Sequence, residues 1–511
     1  MHRKNMVRFF AFLFLTLTIS LHAQTARVLT LEESLNIALG KSYQVKQLEQ
    51  SLIDSRMRLQ AARASFKSNG QLLFTRLPDL FRGITQTQAG NTGETFFPKQ
   101  NYLDLQTELL VNQPISATDG VFSLVGIMQR FRQTILDQTV SIESGIPTLR
   151  DTTITTINYT PRLQLQFRQP LFTINRLKTG YRRADLNLEN TLQTYSRSQL
   201  DIIYNVTSGF YDLFRAQQQL AIDSAQVQQS ENAHRLAKLK QQAGLFPELE
   251  VLRLEVEVAN AKNTLTSSKA NLQRIEDAFK LQIGLPIEET VLVTTTLSYQ
   301  PIAVLPEKAL AEALQRRTEL RSDEINVQLG ELEVRETDAA SEIKGELFLS
   351  YGLTNSERKV RDAFQNFDNS RSVQFSLTMP LWDWGKNGAE VQAAQASLES
   401  NRLTQKNRVD LIKQEIRDAV RSLQSSQQRS EISRRSEELA EKSYKISLLK
   451  FENGDLSSQD LALEQNRLTQ AKTNSLNAII DYKQALADLR RKTLWDFETD
   501  TPVKIAVPKE E

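Results

Sequence analysis

Few residues in this chain have types suited to chemistry. The 511 residues include no cysteine and three histidines, His2, His22 and His234. Disulfides, thiolate nucleophiles and cysteine-type zinc sites are therefore absent. No glycine-rich loop cradles a phosphate and no nucleophile–base set is visible, so an enzyme is not expected and no cofactor is called for. His234 lies on a long polar stretch and reads as a solvated surface residue. Met57, Met128 and Met379 form no soft-metal relay. What does recur is a carboxylate at a fixed distance from a glycine. AGLFPELE places Glu250 six residues after Gly244, with Glu248 as a competitor, and FENGDLSSQD places Asp460 six after Gly454. Glu464 follows Asp460 by one helical turn and faces the same way. Gly244 and Gly454 read as the tips of helix turns. Acidic side chains in a first helical turn complement the helix dipole, which is the simplest work these groups do.

The elements that position them belong to an exported protein. Arg3, Lys4 and Arg8 precede the apolar stretch FFAFLFLTLTIS, and Leu21-His22-Ala23 offers a cut before Gln24. Residues 1–23 thus read as a signal peptide. Its apolar run is short for a membrane span. Net charge is +2, which gives no field for nucleic acid. A charged content of 24% excludes a bundle of membrane-spanning helices.

The chain is duplicated at an offset of 210 residues. RLQLQFRQPLF (162–172) matches SVQFSLTMPLW (372–382), Gly244 matches Gly454, and Ala261-Lys262 matches Ala471-Lys472. The starts of the halves match at an offset of 275, TLEESLNIAL (30–39) against LPEKALAEAL (305–314). The difference places about 65 extra residues between roughly 67 and 161, rich in Thr, Gly and Asn. These read as surface loops, with room for extra strands such as DLQTELLVN (104–112). Residues 24–283 and 306–494 are the two repeats, 284–305 links them with a short strand, and 495–511 is a flexible tail.

Helices are expected over 31–66, 174–243 and 248–283, and again over 306–343, 386–452 and 456–494. The long ones run roughly 100 Å and the short ones roughly 55 Å, so two short helices end to end match one long one. Val251, Val258, Leu265, Leu272 and Phe279 form a heptad seam. Leu461, Leu468, Ser475, Tyr482 and Leu489 repeat it, and Ala261, Ala471, Ala478 and Ala485 allow close approach. A solvated coiled-coil rod has the same pattern.

Strands are expected near 346–353 and 372–379 as well as at 162–169. Leu163, Leu165 and Phe167 alternate with Gln164, Gln166 and Arg168, and Val373, Phe375, Leu377 and Met379 with Gln374, Ser376 and Thr378. A membrane barrel has this alternation, and so does a half-buried soluble sheet. Unpaired backbone cannot face lipid, so about four strands per chain must close by sharing a barrel with other copies; three copies give about twelve strands. Pro170 and Pro380 end the pairing and suit a helix start. Phe172, Trp382 and Trp384 stand where aromatics mark a membrane–water boundary.

With the duplicated start, the Pro170-Leu171-Phe172 and Pro380-Leu381-Trp382 junctions and the repeat KFENGDLSSQDLALEQNRLTQAKTNSLNAIIDYKQALADL (450–489), the chain resembles the TolC family of outer-membrane efflux proteins. The resemblance covers nearly all of the mature chain. It implies a mainly α fold with membrane β, built as a homotrimer: one twelve-stranded barrel in the outer membrane of a Gram-negative bacterium and a helical barrel in the periplasm. It implies an exit duct for an efflux pump or type I secretion system. The implied partners are further copies of itself, a periplasmic adaptor (membrane fusion) protein, indirectly an inner-membrane RND or ABC transporter, and outer-membrane lipid; nucleic acid is not among them. Lipid attachment through a cysteine, frequent in the family, is absent here. The resemblance also makes Asp460, Glu250 and Glu464 the acidic ring of a periplasmic gate. Carboxylates repeated by threefold symmetry in an aperture attract cations, and their crowding raises some of their pKa values. A second family aspartate falls on Leu463, and Phe451 stands at a family tyrosine position, so a complete second ring and a hydroxyl gating bond are not expected. The other reading is a periplasmic coiled-coil adaptor or scaffold without a pore. The lipoyl-like and small β-barrel modules usual in adaptors are not found.

Overall fold

The computed structural model describes residues 27–84, 87–88, 95–96, 99–143, 146–297 and 299–504. The expected signal peptide lies outside these residues. The first repeat holds β1 (Arg27–Leu29), α1 (Leu31–Lys41), α2 (Tyr43–Ala64), β2 (Asn69–Ile84), β3 (Lys99–Ile115), β4 (Gly120–Glu143) and β5 (Ile146–Leu171). It continues with α3 (Arg176–Gln242) and α4 (Glu248–Ile283), and β6 (Val291–Val293) follows. The second repeat holds α5 (Pro306–Arg316), α6 (Thr318–Asp338), β7 (Lys344–Thr354), β8 (Asp368–Thr378), α7 (Lys386–Asn453) and α8 (Ser458–Thr493). The strands β9 (Trp495–Asp496) and β10 (Thr501–Pro502) come last. Among the described residues no helix is long and apolar enough to cross a membrane.

Among the described residues, one compact unit takes in 27–51, 192–321 and 406–504. Its helices pack through part of the expected seam, with Val258, Leu265, Leu272 and Ser475 only half-buried. Val251, Leu254, Ala261 and Phe279 are buried on α4, and Leu461, Leu468, Ala471, Ala478, Tyr482 and Leu489 on α8. In one core cluster Phe210 and Phe279 meet Ile283, Val291, Val293 and Ile480. The linking segment does contribute a strand: β6 pairs in parallel with β1, Val291 opposite Arg27. Gly284 ends α4 at φ 80°, and a Cβ there would lie 2.7 Å from the Lys41 carbonyl oxygen, so both conformation and space demand glycine.

The first helix of each repeat is broken, where a single helix was expected. Ser42 and Arg317 take extended backbone, with ψ 144° and 124°. These positions are equivalent at the 275-residue offset. Ser42 accepts at Oγ from the Val45 N–H, at 3.3 Å, and so caps the next helix. Arg317 is held between Glu319, at 3.1 Å, and Glu415, at 2.6 Å. Residues 495–504, expected as a flexible end, are also ordered. β9 pairs antiparallel with β10, and Trp495 stacks beneath the cations of Lys308 and Arg316 at 5.3 and 5.0 Å. Cation–aromatic packing of this kind is not visible in a Pro- and charge-rich tail sequence.

The other unit takes in 52–191 and 322–405 and carries a six-stranded antiparallel sheet, ordered β8–β7–β5–β4–β3–β2. The expected strands at 346–353, 372–379 and 104–112 are all present. The count differs from about four because the described residues of the 67–161 stretch, where the insertion was expected as surface loop, are mostly strand: they supply β2, β3, β4 and much of β5. Threonine is β-branched and fits a pleated surface, so Thr-rich stretches build strand once a neighbour pairs with them.

The register gives the sheet two chemically distinct faces. One row crosses all six strands as Asn69, Asn112, Ser123, Gln166, Ser350 and Ser372, each opposite the next. Ser123 donates to Asn112 Oδ1 at 2.7 Å, and Asn112 Nδ2 donates to Asn69 at 3.3 Å. On the other face Phe122, Phe167, Leu349 and Val373 stand opposite one another in turn. So do Leu72, Leu109, Gly126, Leu163 and Leu353. This second face is apolar and exposed, with Leu163, Leu165, Val373 and Phe375 among its large uncovered side chains.

Candidate functional site

The two helix turns are built alike. At the first, Gly244 takes φ 77°, its N–H donates to Gln241, and the Leu245 N–H donates back to Lys240 O at 2.9 Å. At the second, Gly454 takes φ 92°, its N–H donates to Phe451, and the Asp455 N–H donates to Lys450 O at 2.9 Å. Left-handed glycine and the i+5 return bond end both helices in the same way. No atom lies within 4 Å of a Cβ placed at either glycine, so conformation alone requires the residue.

The carboxylates sit just beyond. Glu250 accepts at Oε2 from the Ser458 N–H, at 2.9 Å, so a side chain of α4 satisfies a free amide at the start of α8. Arg253 reaches its other oxygen at 3.3 Å. The hydrogen bond from Ser458 holds the Glu250 carboxyl below its ordinary range, against the upward push of burial and a smaller one from Asp460. Asp460 exchanges bonds with its own N-cap. Its N–H donates to Ser457 Oγ at 3.2 Å, and Ser457 Oγ donates to its carboxylate at 2.7 Å. Glu464 accepts from Ser443 Oγ of α7 at 2.7 Å and pairs with Arg467 at 2.5 Å. The Ser443 bond lowers its pKa in turn.

Within one chain, then, the carboxyls of Glu250 and Glu464 are shifted downward rather than upward by crowding. Each has hydrogen-bond donors aimed at its ionised form, and these outweigh the upward push of burial and, at Glu250, of one like charge nearby. All three acids lie on the same hairpin ends, and Glu250 and Asp460 are within electrostatic reach of each other.

Sequence reasoning missed the residues that hold these turns together. Lys240 Nζ donates to the Phe451 carbonyl, capping the end of α7 from α3. The same ammonium stands 4.9 Å from the Phe246 ring centroid and 5.3 Å from that of Phe451. Those rings meet edge to face at 5.4 Å, and Phe451 is fully buried with Leu461 and Leu468. Phe451 therefore works as a packing anchor where a tyrosine hydroxyl was not expected. Ser457 had a signal, since Ser three residues before Asp matches a capping box. Ser443 and Phe246 had none.

At the strand–helix junctions, Pro170 still faces Glu346 in the last pairs of β5, and Pro380 lies two residues past β8. Neither proline occupies a first helical turn. α3 and α7 each start six residues later, because other groups cap them. Leu177 N–H donates to Asp119 Oδ1 at 3.2 Å and Lys178 N–H to Asn175 Oδ1 at 2.9 Å. In the second repeat Asp383 accepts from the Gly385 and Asn387 amides at 2.9 and 2.8 Å. Leu171 closes β5, while Phe172, Leu381, Trp382 and Trp384 are exposed, with Trp384 95% accessible. On β8, Arg371 shares the face of Val373 and Phe375 and lies over the Tyr351 ring at 5.8 Å. The stretch between Arg371 and Trp382 matches the roughly 9–11 residues a strand needs to cross hydrocarbon.

The model of the outer membrane efflux protein family matches residues 143–284 and 309–493. Two curated relatives are each called nodulation protein T. That of Rhizobium leguminosarum biovar viciae is 21% identical over 428 residues, covering 79% of this chain and 85% of its own length. That of biovar trifolii is 23% identical over 360 residues, covering 69% and 74%. Among solved structures, the Campylobacter jejuni outer membrane channel CmeC aligns with a TM-score of 0.67 at 13% identity, over 93% of this chain and 87% of that one. The Vibrio cholerae outer membrane protein VceC aligns with a TM-score of 0.64 at 13% identity, over 91% and 95%. At these identities the structures speak to the fold, and the fold agrees with the family match. The chain belongs to the outer membrane efflux protein family.

Proposed function

We propose that this protein is the outer-membrane exit duct of a tripartite efflux pump or type I secretion system. Three copies share one β-barrel through the outer membrane of a Gram-negative bacterium and one helical barrel in the periplasm. Cargo enters through a periplasmic adaptor protein that couples the duct to an inner-membrane RND or ABC transporter. The observation that carries this reading is the sheet, apolar on one face and polar on the other across all six strands. Lipid on one side and water on the other call for that division. A pore-free periplasmic scaffold has no use for it, since its sheet would leave Val373 and Phe375 in water.

Asp460, Glu250 and Glu464 form the acidic gate at the periplasmic end. Their local bonds support the reading in one respect: lowered pKa values keep Glu250 and Glu464 ionised. A threefold ring of such groups attracts cations and resists anions.

The test is single-channel conductance in planar bilayers for the full-length protein and for Asp460→Asn/Glu250→Gln. The amides keep the hydrogen-bond acceptors and remove the charge. Cation-selective openings that lose selectivity in the variant are expected. Equal selectivity would return the carboxylates to helix capping alone, and no conductance from folded protein would overturn the duct.

A further inference from the structure

We propose that three copies of this chain close a barrel of eighteen strands, with β8 of each copy pairing with β2 of the next. The proposal rests on the trimeric duct above and specifies its wall.

A twelve-stranded wall needs four strands from each chain, and the sheet holds six. To leave β2 and β3 out, β4 would have to pair with β8 of the neighbouring copy. That side of β4 is already taken: β3 pairs with it from Lys99–Leu136 to Ile115–Gly120 without a register shift. β3 and β2 also continue both faces of the sheet. Asn69 and Asn112 extend the polar row, and Leu72 and Leu109 extend the apolar one. The turn between β3 and β4 is anchored where the other strands enter helices. Asn175 Nδ2 donates to Ser116 O at 2.9 Å, and Asp119 caps the start of α3. The extra strands are part of the wall by pairing, by surface chemistry and by anchoring.

Two open edges remain among the described strands, β2 and β8. Both carry exposed apolar side chains, Leu72 and Phe74 on one and Val373, Phe375 and Leu377 on the other. Unpaired strand backbone cannot face hydrocarbon, so both edges must find partners. β2 leaves the helical end of the sheet and β8 returns to it. The β8 edge of one copy therefore meets the β2 edge of the next antiparallel, and the up-and-down order runs unbroken around the ring. The contact is head-to-tail and closes by rotation. At a strand spacing near 4.8 Å and a tilt near 40°, a twelve-stranded wall is roughly 24 Å across and an eighteen-stranded one roughly 36 Å.

The absence of native cysteine makes the test direct. Leu72→Cys/Val373→Cys and Leu72→Cys/Phe375→Cys report β2–β8 contact between copies. Leu124→Cys/Val373→Cys and Leu124→Cys/Phe375→Cys report β4–β8 contact, the twelve-stranded alternative. Within one chain both kinds of pair lie three or more strands apart, beyond disulfide reach. Each variant is oxidised in outer membranes and run without reductant. Its native mass in detergent, with reductant, is measured alongside. The expected result is a threefold shift in mass for a Leu72 pair and none for the Leu124 pairs. Cross-linking of a Leu124 pair would establish the narrower wall. A native trimer in which no pair cross-links would overturn β2–β8 closure while keeping the duct, and a native monomer would overturn the trimer itself.

Discussion

Glu250 and Asp460 stand at equivalent places in the repeat, yet they do different structural work. Glu250 reaches across to the Ser458 amide of the other hairpin, whereas Asp460 closes a box with its own Ser457. Glu250→Ala should therefore loosen the contact between hairpins. The expected cost is about 1–2 kcal/mol, with faster hydrogen exchange at the Ser458 amide. Asp460→Ala should leave that amide protected. The downward shifts at Glu250 and Glu464 set a pH dependence. A carboxyl whose folded pKa is depressed stabilises the fold above its unfolded value, about 4.3 for glutamate, and the contribution is lost as pH falls through the folded value. Resistance to thermal unfolding should thus weaken on acidification below about pH 4.3, and less so in Glu250→Gln/Glu464→Gln. The spacing from each glycine was enough to find these acids. Ser443, which reaches Glu464 from α7, and the Lys240–Phe246–Phe451 packing that holds the turns were not legible, because these contacts join separate elements and no linear spacing records that approach.

At the scale of elements, the duplication made the helices legible. The expected 174–243 and 386–452 are observed as Arg176–Gln242 and Lys386–Asn453, since heptads and turn glycines mark their ends. The breaks at Ser42 and Arg317 escaped notice, as one extended residue hardly disturbs an apolar period. β2 escaped for a different reason. Register shifts between Phe74 and Arg76 and between Arg76 and Asp79 reset its alternation twice, hiding a period of two. The turn glycines carry a clean prediction. Gly454→Ala and Gly244→Ala each place a Cβ in open space but on left-handed backbone. Each should lower stability by about 1 kcal/mol in urea unfolding. A neutral result at both would mean that the turns are not held in that conformation.

For the whole molecule, the decisive feature is that one sheet has an exposed apolar face and a polar face. Phe375→Arg puts charge on the apolar face and should cost about 2–4 kcal/mol near the membrane midplane, emptying the outer-membrane fraction of assembled protein. Gln374→Arg, one residue away on the polar face, should assemble normally and shift ion selectivity toward anions. Similar yields for the two would remove the distinction between the faces. The most direct test of the account is electron cryomicroscopy of the full-length protein purified from outer membranes in detergent. Particles with a threefold axis and a continuous lumen along it, walled by the strands and then by the long helices, are expected. Particles with no rotational symmetry, or with a threefold axis and no axial lumen through the sheet, would contradict it.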